Sequence, residues 1–403
     1  MRSFLVIADK YPLPEVTGTN IRTMNFVRIL AQHGTVDLVY HEHRELDLLT
    51  DDAFRSSTNL GDTIIRQRGL KSVIGRIIRQ QPKHVTRYPD TYRDKLFTII
   101  KDGKYDVILV RYINRTYDLF DLPQNIKKTI VIDYDDLPSS IYYSKSVKNR
   151  LLRPIEFAAF IVNRYLTRSY ERKCLQFGAA LFCTQSDADT VCNGKPGSNV
   201  FVVKNVIPDP GVNTETEEGF SNQKTLLFVG TLNYAPNVEG IIWFISKIFD
   251  GLSGHERDLH LLVVGRKPTV DLVQICNANN RITLHADVPD ILPYYKRAGV
   301  VIVPVLRGGG TRIKILEAGY MGRPVVSTRV GAYGLGLSHK QNILFFDDAS
   351  SFEESLAYLA DIESYRKIVM NLHNSVSSEY SVEVFNHVME DVLQYIGKSC
   401  DPE

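Results

Sequence analysis

The stretch from Val300 to Leu337 constrains the fold more than any other part of the chain. Val300 to Val305 is an apolar run of the length of one buried strand, and three glycines follow at Gly308, Gly309 and Gly310. A helical segment begins at about Thr311, and after Gly322 a second buried run spans Pro324 to Thr328. Strand, glycine loop and helix start in that order make an anion cradle. Glycine lets the backbone approach a ligand, the first helical N–H groups have no intrahelical partner, and the helix dipole favours negative charge. Arg312 and Lys314 place two cations in that first turn, where the dipole alone disfavours them. A bound phosphate would resolve the mismatch. One turn further on, Glu317 lies near the same mouth and can accept hydrogen bonds from hydroxyl groups.

The remainder of the chain alternates in the same way. Ser3 to Ala8 reads as a strand, Lys10 to Asn20 as a loop containing Pro12, Pro14 and Gly18, Ile21 to His33 as a helix and Val36 to Tyr40 as the next strand. This is a βαβ unit, whose ligand end is the carboxyl edge of its strands, and Thr17, Gly18 and Thr19 lie at that edge. Residues 41–104 are polar and helical in places, with a basic segment at Lys71 to Arg87. Strands follow at Asp106 to Arg111 and Thr129 to Asp133, the second running into Asp135 and Asp136, and then at Ala179 to Thr184 and Val200 to Lys204. Asn205 to Gln223, rich in Pro, Gly, Asn and Glu, reads as a linker. Beyond it come strands at Thr225 to Val229, Leu259 to Val264 and Ile282 to His285, then the opening stretch, then Asn342 to Phe346, with helices between and after them. The expected architecture is α/β: two doubly wound domains, 1–208 and 209–379, with a C-terminal helix of about 380–403 able to pack back on the first.

At 403 residues the length suits two domains with separate cores, and 44% apolar with 23% charged residues is ordinary for a soluble protein. A net charge of +2 argues against nucleic acid as a partner. The five cysteines show neither C-x-x-C nor metal-ligand spacing, which suggests reduced thiols in the cytoplasm. The amino-terminal segment reads as a strand rather than a signal peptide, and no apolar run reaches the roughly 18 residues of a membrane span. The segment 141–173 interleaves cations with aromatic and aliphatic residues. It is either a salt-bridged helix packed on its own domain or a surface resting on anionic lipid, where each Lys or Arg is worth on the order of 1 kcal/mol. The expected location is cytoplasmic or peripheral at the inner face of the membrane.

The combined order of motifs resembles the glycosyltransferases of the GT-B fold, specifically the large retaining family four of polysaccharide and lipopolysaccharide sugar transferases. Its carriers are LLFVGTLNYAPNVEGIIWF from Leu226, LLVVGRKP from Leu261, ITLHADVPDILPYYKRAGVVIVPV from Ile282 and GGGTRIKILEAGYMGRPVVSTRVGAYGL from Gly308. In the first half they are DYDDLPSS from Asp133 and YERKCLQFGAALFCTQSDAD from Tyr170, so the resemblance covers nearly the whole chain. It implies two Rossmann-like domains facing each other across a cleft. The implied reaction transfers a sugar from a nucleoside diphosphate sugar to a glycan or lipid-linked glycan, in cell-surface polysaccharide biosynthesis, with neither cofactor nor metal.

The family signature has two glutamates eight positions apart. The second matches Glu317, which in the family holds the ribose hydroxyls of the nucleotide. The first, which helps orient the transferred sugar, falls at Gly309, so that glutamate is missing here. Gly310 and Thr311 continue the donor loop. The basic residue common after the first donor-domain strand is also absent from Gly230-Thr231-Leu232-Asn233, which leaves Arg312, Lys314 and Arg266 to neutralise the diphosphate. His285 either lines the base pocket or ends a strand plainly. In the first domain Asp135 matches a histidine of many relatives and could orient the sugar or receive the acceptor proton, with Asp133 and Asp136 beside it. Gly18 and Thr19 match the glycine loop that closes over the phosphate and acceptor. Arg312 and Lys314 would stabilise the leaving diphosphate, which in retaining GT-B enzymes is thought to take the acceptor proton itself. The missing glutamate keeps open a non-catalytic nucleotide-sugar-binding subunit, and a GT-B epimerase is a third reading.

Overall fold

A computed structural model of the protein describes residues 2–15, 17–41, 55–60, 81–85, 87–139, 154–211, 216–252, 258–308 and 311–400; side chains within 154–159, 216–217 and 400 are not among them. The chain divides into two compact units, residues 1–205 with 385–403, and residues 206–384.

The first unit is built on seven parallel strands: β1 (Arg2–Ile7), β2 (Gly34–Tyr40), β3 (Ser56–Asn59), β4 (Val107–Arg111), β5 (Ile130–Asp133), β6 (Ala179–Phe182) and β7 (Val200–Val202), in the order β3-β2-β1-β4-β5-β6-β7. Runs such as VILVR in β4 and IVID in β5 are buried along their whole length, as parallel strands covered on both faces must be. Leu5, Val110, Ile132 and Phe182 share one core with residues of the flanking helices. Chain order reverses between β1 and β4, and the carboxyl ends of these strands open a crevice at that switch point. The C-terminal helix Val382–Cys400 lays Phe385 on Phe26 and Tyr395 against Phe201.

The second unit has six parallel strands: β8 (Thr225–Thr231), β9 (His260–Arg266), β10 (Ile282–Ala286), β11 (Val300–Val303), β12 (Val325–Ser327) and β13 (Leu344–Phe345), ordered β10-β9-β8-β11-β12-β13. Leu226, Phe228, Phe244, Ile302 and Phe352 anchor its core. Its switch point lies between β8 and β11, so the loop after β11 is where a ligand of this sheet would sit.

The structure differs from the sequence reading in three places. The helix after β1 is Gly18–His33, capped by the Thr17 hydroxyl accepting from Asn20 N, so Gly18 and Thr19 form a first helical turn rather than a loop. The segment read as a linker includes the helix Thr216–Ser221, because Phe220 gives that polar stretch an apolar anchor edge-on to Tyr365. Strand β3 lies unforeseen inside 41–104, read as polar and helical in places; the helix Asp90–Gly103 agrees with that reading, and the basic part, 71–87, falls mostly outside the described residues.

Candidate functional site

In the second unit the cradle takes shape at the carboxyl ends of β8 and β11. Gly308 has φ +112, a conformation open to glycine, and Gly309 and Gly310 lie outside the described residues. The helix begins at Ile313 with Arg312 as its N-cap, two residues later than expected from the sequence. Arg312 folds back, its Nη2 donating to Gly308 O at 2.9 Å. Lys314, second in the helix, turns inward and is only 8% exposed. Its Nζ donates to Asn237 Oδ1 at 3.1 Å and lies 4.2 Å from the centre of the Phe228 ring. A Cβ on Gly230 would come within 3.1 Å of that nitrogen, so the amine sits directly under the end of β8. Burial, aided by the neighbouring Arg312, lowers the Lys314 pKa to about 7 against the pull of Glu317.

Glu317 follows on the same helix and accepts a 2.6 Å hydrogen bond from the Tyr295 hydroxyl. Burial pushes its carboxyl above the usual range, while Tyr295 and Lys314 act in the opposite sense. Tyr295 is fully buried on the short helix Leu292–Arg297, whose last carbonyls are capped by the buried Arg323: Nε to Tyr295 O at 2.9 Å and Nη2 to Lys296 O at 3.1 Å. Arg266 ends β9 in register with Thr231 of β8 and is half-buried. His285 sits on β10, the edge of the sheet, with its ring 4.7 Å from that of Tyr294. Burial lowers its pKa, and Arg297 and His260 act the same way. The structure therefore gathers Arg312, Lys314 and Glu317 around Gly230, Asn237 and Tyr295, aligns Arg266 one strand away, and sets His285 three strands from β11. Asn237 and Tyr295 escaped the sequence reading. Asn237 follows the first strand's loop at the expected place for a ligand group; Tyr295 gave no local signal, because its partner is 22 residues away.

In the first unit the aspartates after β5 form a buried ionic cluster. Asp133 is fully buried and takes a forked contact from Arg22, Nη2 to Oδ1 at 2.6 Å and Nε to Oδ2 at 3.1 Å, and an ion pair from Arg111. It is thus closed off by two guanidinium groups rather than presented to a ligand. Asp135 stands in the left-handed region at φ +49. Its Oδ2 accepts from Tyr112 at 2.8 Å and from Arg111 at 3.1 Å, and Asn205 Nδ2 lies 3.4 Å from its Oδ1. Burial opposes the charge, but Arg111, Arg22 and these hydrogen bonds outweigh it and hold the carboxyl at about 2. With its own proton given to Asp135, the Tyr112 hydroxyl accepts from Thr19 Oγ1 at 3.0 Å, which ties the first turn of the helix Gly18–His33 to Asp135. Asp136 is half-buried beside them. Sequence reading found the aspartates and missed Arg22 and Arg111, whose positions within a helix and a strand look unremarkable until the sheet is assembled.

Among the described residues no group of three or more His, Cys, Asp or Glu is placed to hold a metal ion, and no helix is long and apolar enough to cross a membrane. The helix Pro154–Lys173 exposes Ile161, Val162 and Tyr165 with Arg168, Arg172 and Lys173; residues 141–153 of the basic segment lie outside the described residues.

Residues 223–361 match the family described as glycosyl transferases group 1. An uncharacterised 44.6 kDa protein in a cps region of Klebsiella pneumoniae is 22% identical over 97% of this chain and 100% of its own. Sucrose-phosphate synthase from Thermosynechococcus elongatus has a similar structure, with a TM-score of 0.72 at 14% identity, covering 99% of this chain and 100% of that one. HepE from Anabaena, solved with UDP and glucose, gives 0.62 at 12% identity over 97% and 99% of the two chains. Both share the arrangement of two parallel sheets. Residues 223–361 are a group 1 glycosyl transferase domain, and the chain that carries them is a glycosyltransferase of the GT-B fold.

Proposed function

We propose that this enzyme moves a sugar from a nucleoside diphosphate sugar to a glycan or lipid-linked glycan in cell-surface polysaccharide assembly, with retention and without a metal. The observation that carries this reading is Lys314. A lysine amine buried at the carboxyl ends of β8 and β11, beside Arg312, is poised for an anion. A diphosphate fits that place, and ribose hydroxyls can donate to Glu317 on the same helix. The HepE structure with UDP and glucose supports the donor class, and the relative in a cps region supports the pathway.

As the glycosidic bond breaks, negative charge grows on the leaving phosphate, and Lys314 and Arg312 stabilise it. One such oriented donor is typically worth about 3–4 kcal/mol in the transition state. That phosphate then accepts the acceptor's proton, so the protein needs no strong base. Asp135 fits this division of labour: a carboxylate held at about 2 by Arg111 and Arg22 orients hydroxyls and takes protons poorly. The apolar and cationic face of the helix Pro154–Lys173 supports contact with an anionic membrane surface, where a lipid-linked acceptor would be found. A thermal-shift panel of UDP-, GDP-, ADP- and CMP-sugars tests the donor assignment. One nucleoside diphosphate series should raise the melting temperature, by an amount that shrinks in Lys314→Met, and stabilisation by CMP-sugars alone, which carry a single phosphate, would count against a diphosphate donor. No stabilisation by any of them would overturn it.

A further inference from the structure

The Lys314 amine has three hydrogen-bonding positions when charged, and among the described residues one acceptor meets it, Asn237 Oδ1. Asn237 is itself held, its Nδ2 donating to Thr231 O at 3.1 Å. The groups facing the amine are Asn237 from the helix Ala235–Lys247, Phe228 and Gly230 from β8, and Arg312 and Glu317 from its own segment. The single carboxylate of that set, Glu317, is engaged by Tyr295 and forms no ion pair with the amine. A full ammonium in this setting gains the Phe228 ring face but has one acceptor, no paired carboxylate and Arg312 as a like charge, whereas a neutral amine is satisfied by its bond to Asn237.

We infer that the donor diphosphate enters this cradle together with a proton, which Lys314 takes from solvent as the anion binds. This rests on the donor reading above and adds to it that the site is loaded in two charges, one on the ligand and one created on the protein. The chemistry balances simply: the amine lone pair forms an N–H bond, buffer acid supplies the proton, and the phosphodiester groups of a nucleotide sugar do not titrate near neutrality. The burial that brings the amine to about 7 sets the size of the effect. If the anion restores full charge, linkage gives an uptake of about 0.9 proton per donor at pH 8 and about 0.5 at pH 7, with affinity falling about fiftyfold between pH 7 and pH 9.

Calorimetric titration of the whole protein at pH 8 with UDP-glucose, GDP-mannose, ADP-glucose and dTDP-rhamnose, each in buffers of low and high ionisation enthalpy, measures the uptake. The expected result is a binding heat that depends on the buffer in the wild type and is independent of it in Lys314→Arg, whose guanidinium is charged throughout. Circular dichroism confirms that the variant is folded. A buffer-independent heat in the wild type would overturn the proton coupling while leaving the donor assignment standing. Buffer dependence of equal size in Lys314→Arg would place the proton elsewhere and also overturn it. Absence of binding by all four nucleotide sugars would overturn both.

Discussion

Replacing Gly230 with alanine should separate donor binding from folding. A Cβ at this position would stand 2.7 Å from Asn237 Nδ2 and 3.1 Å from Lys314 Nζ. Both are the far ends of side chains, so the fold can accommodate the methyl by pushing them aside, and thermal stability should change little. The displaced groups are the ones that matter to a ligand. Asn237 must give up its geometry towards Thr231 O or Lys314, and the amine must leave the place from which it meets a phosphate. Loss of one hydrogen bond to a charged group costs about 1.5–3 kcal/mol, and 1.4 kcal/mol is tenfold in affinity, which predicts a loss of about tenfold to a hundredfold. Calorimetric titration with the nucleotide sugar that stabilises the wild type, alongside a thermal melt, provides both readings. Affinity within twofold of wild type at an unchanged melting temperature would refute the placement of the ligand at the end of β8.

Tyr295→Phe removes the hydroxyl that Glu317 accepts, so the carboxyl should rise further and donor affinity should fall several-fold, more at pH 6 than at pH 8, as read by titration at both. Asp133→Asn leaves Arg22 and Arg111 buried against a neutral partner and should destabilise the first unit by about 3–5 kcal/mol, measurable as lost hydrogen-exchange protection of its strands in urea. Asp135 has a depressed folded pKa, so its contribution to stability is present above the ordinary value of 3.8 and is lost as pH falls towards about 2; the rate of transfer between pH 5 and pH 9 should show no limb that disappears in Asp135→Asn. Flotation with anionic vesicles at low salt should carry the protein upward, and exchange of Arg168, Arg172 and Lys173 for glutamine should leave it at the bottom of the gradient.

The central strands were legible because they are buried on both faces, and runs such as Val300 to Val303 or Ile130 to Asp133 stand out without any partner being known, whereas the half-exposed edge strand β3 does not. The stretch after β11 stood out because glycines followed by cations at a helix start defy local preference. What could not be read was the company each residue keeps. Lys314 and Arg312 look alike in sequence, yet one is buried under β8 and the other bends over the loop to Gly308. Asp133 and Asp135 look alike as well, and only the arrival of Arg22 from one element and Arg111 from another makes the first a core ion and the second a clamped carboxylate. The helix start at Gly18 was missed because Thr17 caps it across a segment whose prolines suggest a loop.

The return of the C-terminal helix to the first sheet has a consequence for taking the enzyme apart. The second unit, 206–384, is an uninterrupted insert, and excising it as a single segment severs no strand of its sheet. The first unit is discontinuous in sequence. A stop codon after Asn205 would remove Phe385 and Tyr395 and uncover Phe26 and Phe201, so a truncated product should aggregate. Joining residue 205 to residue 385 through a short flexible bridge would instead keep both aromatic contacts, and a circular permutant opened between the units would test the same connectivity without losing a residue.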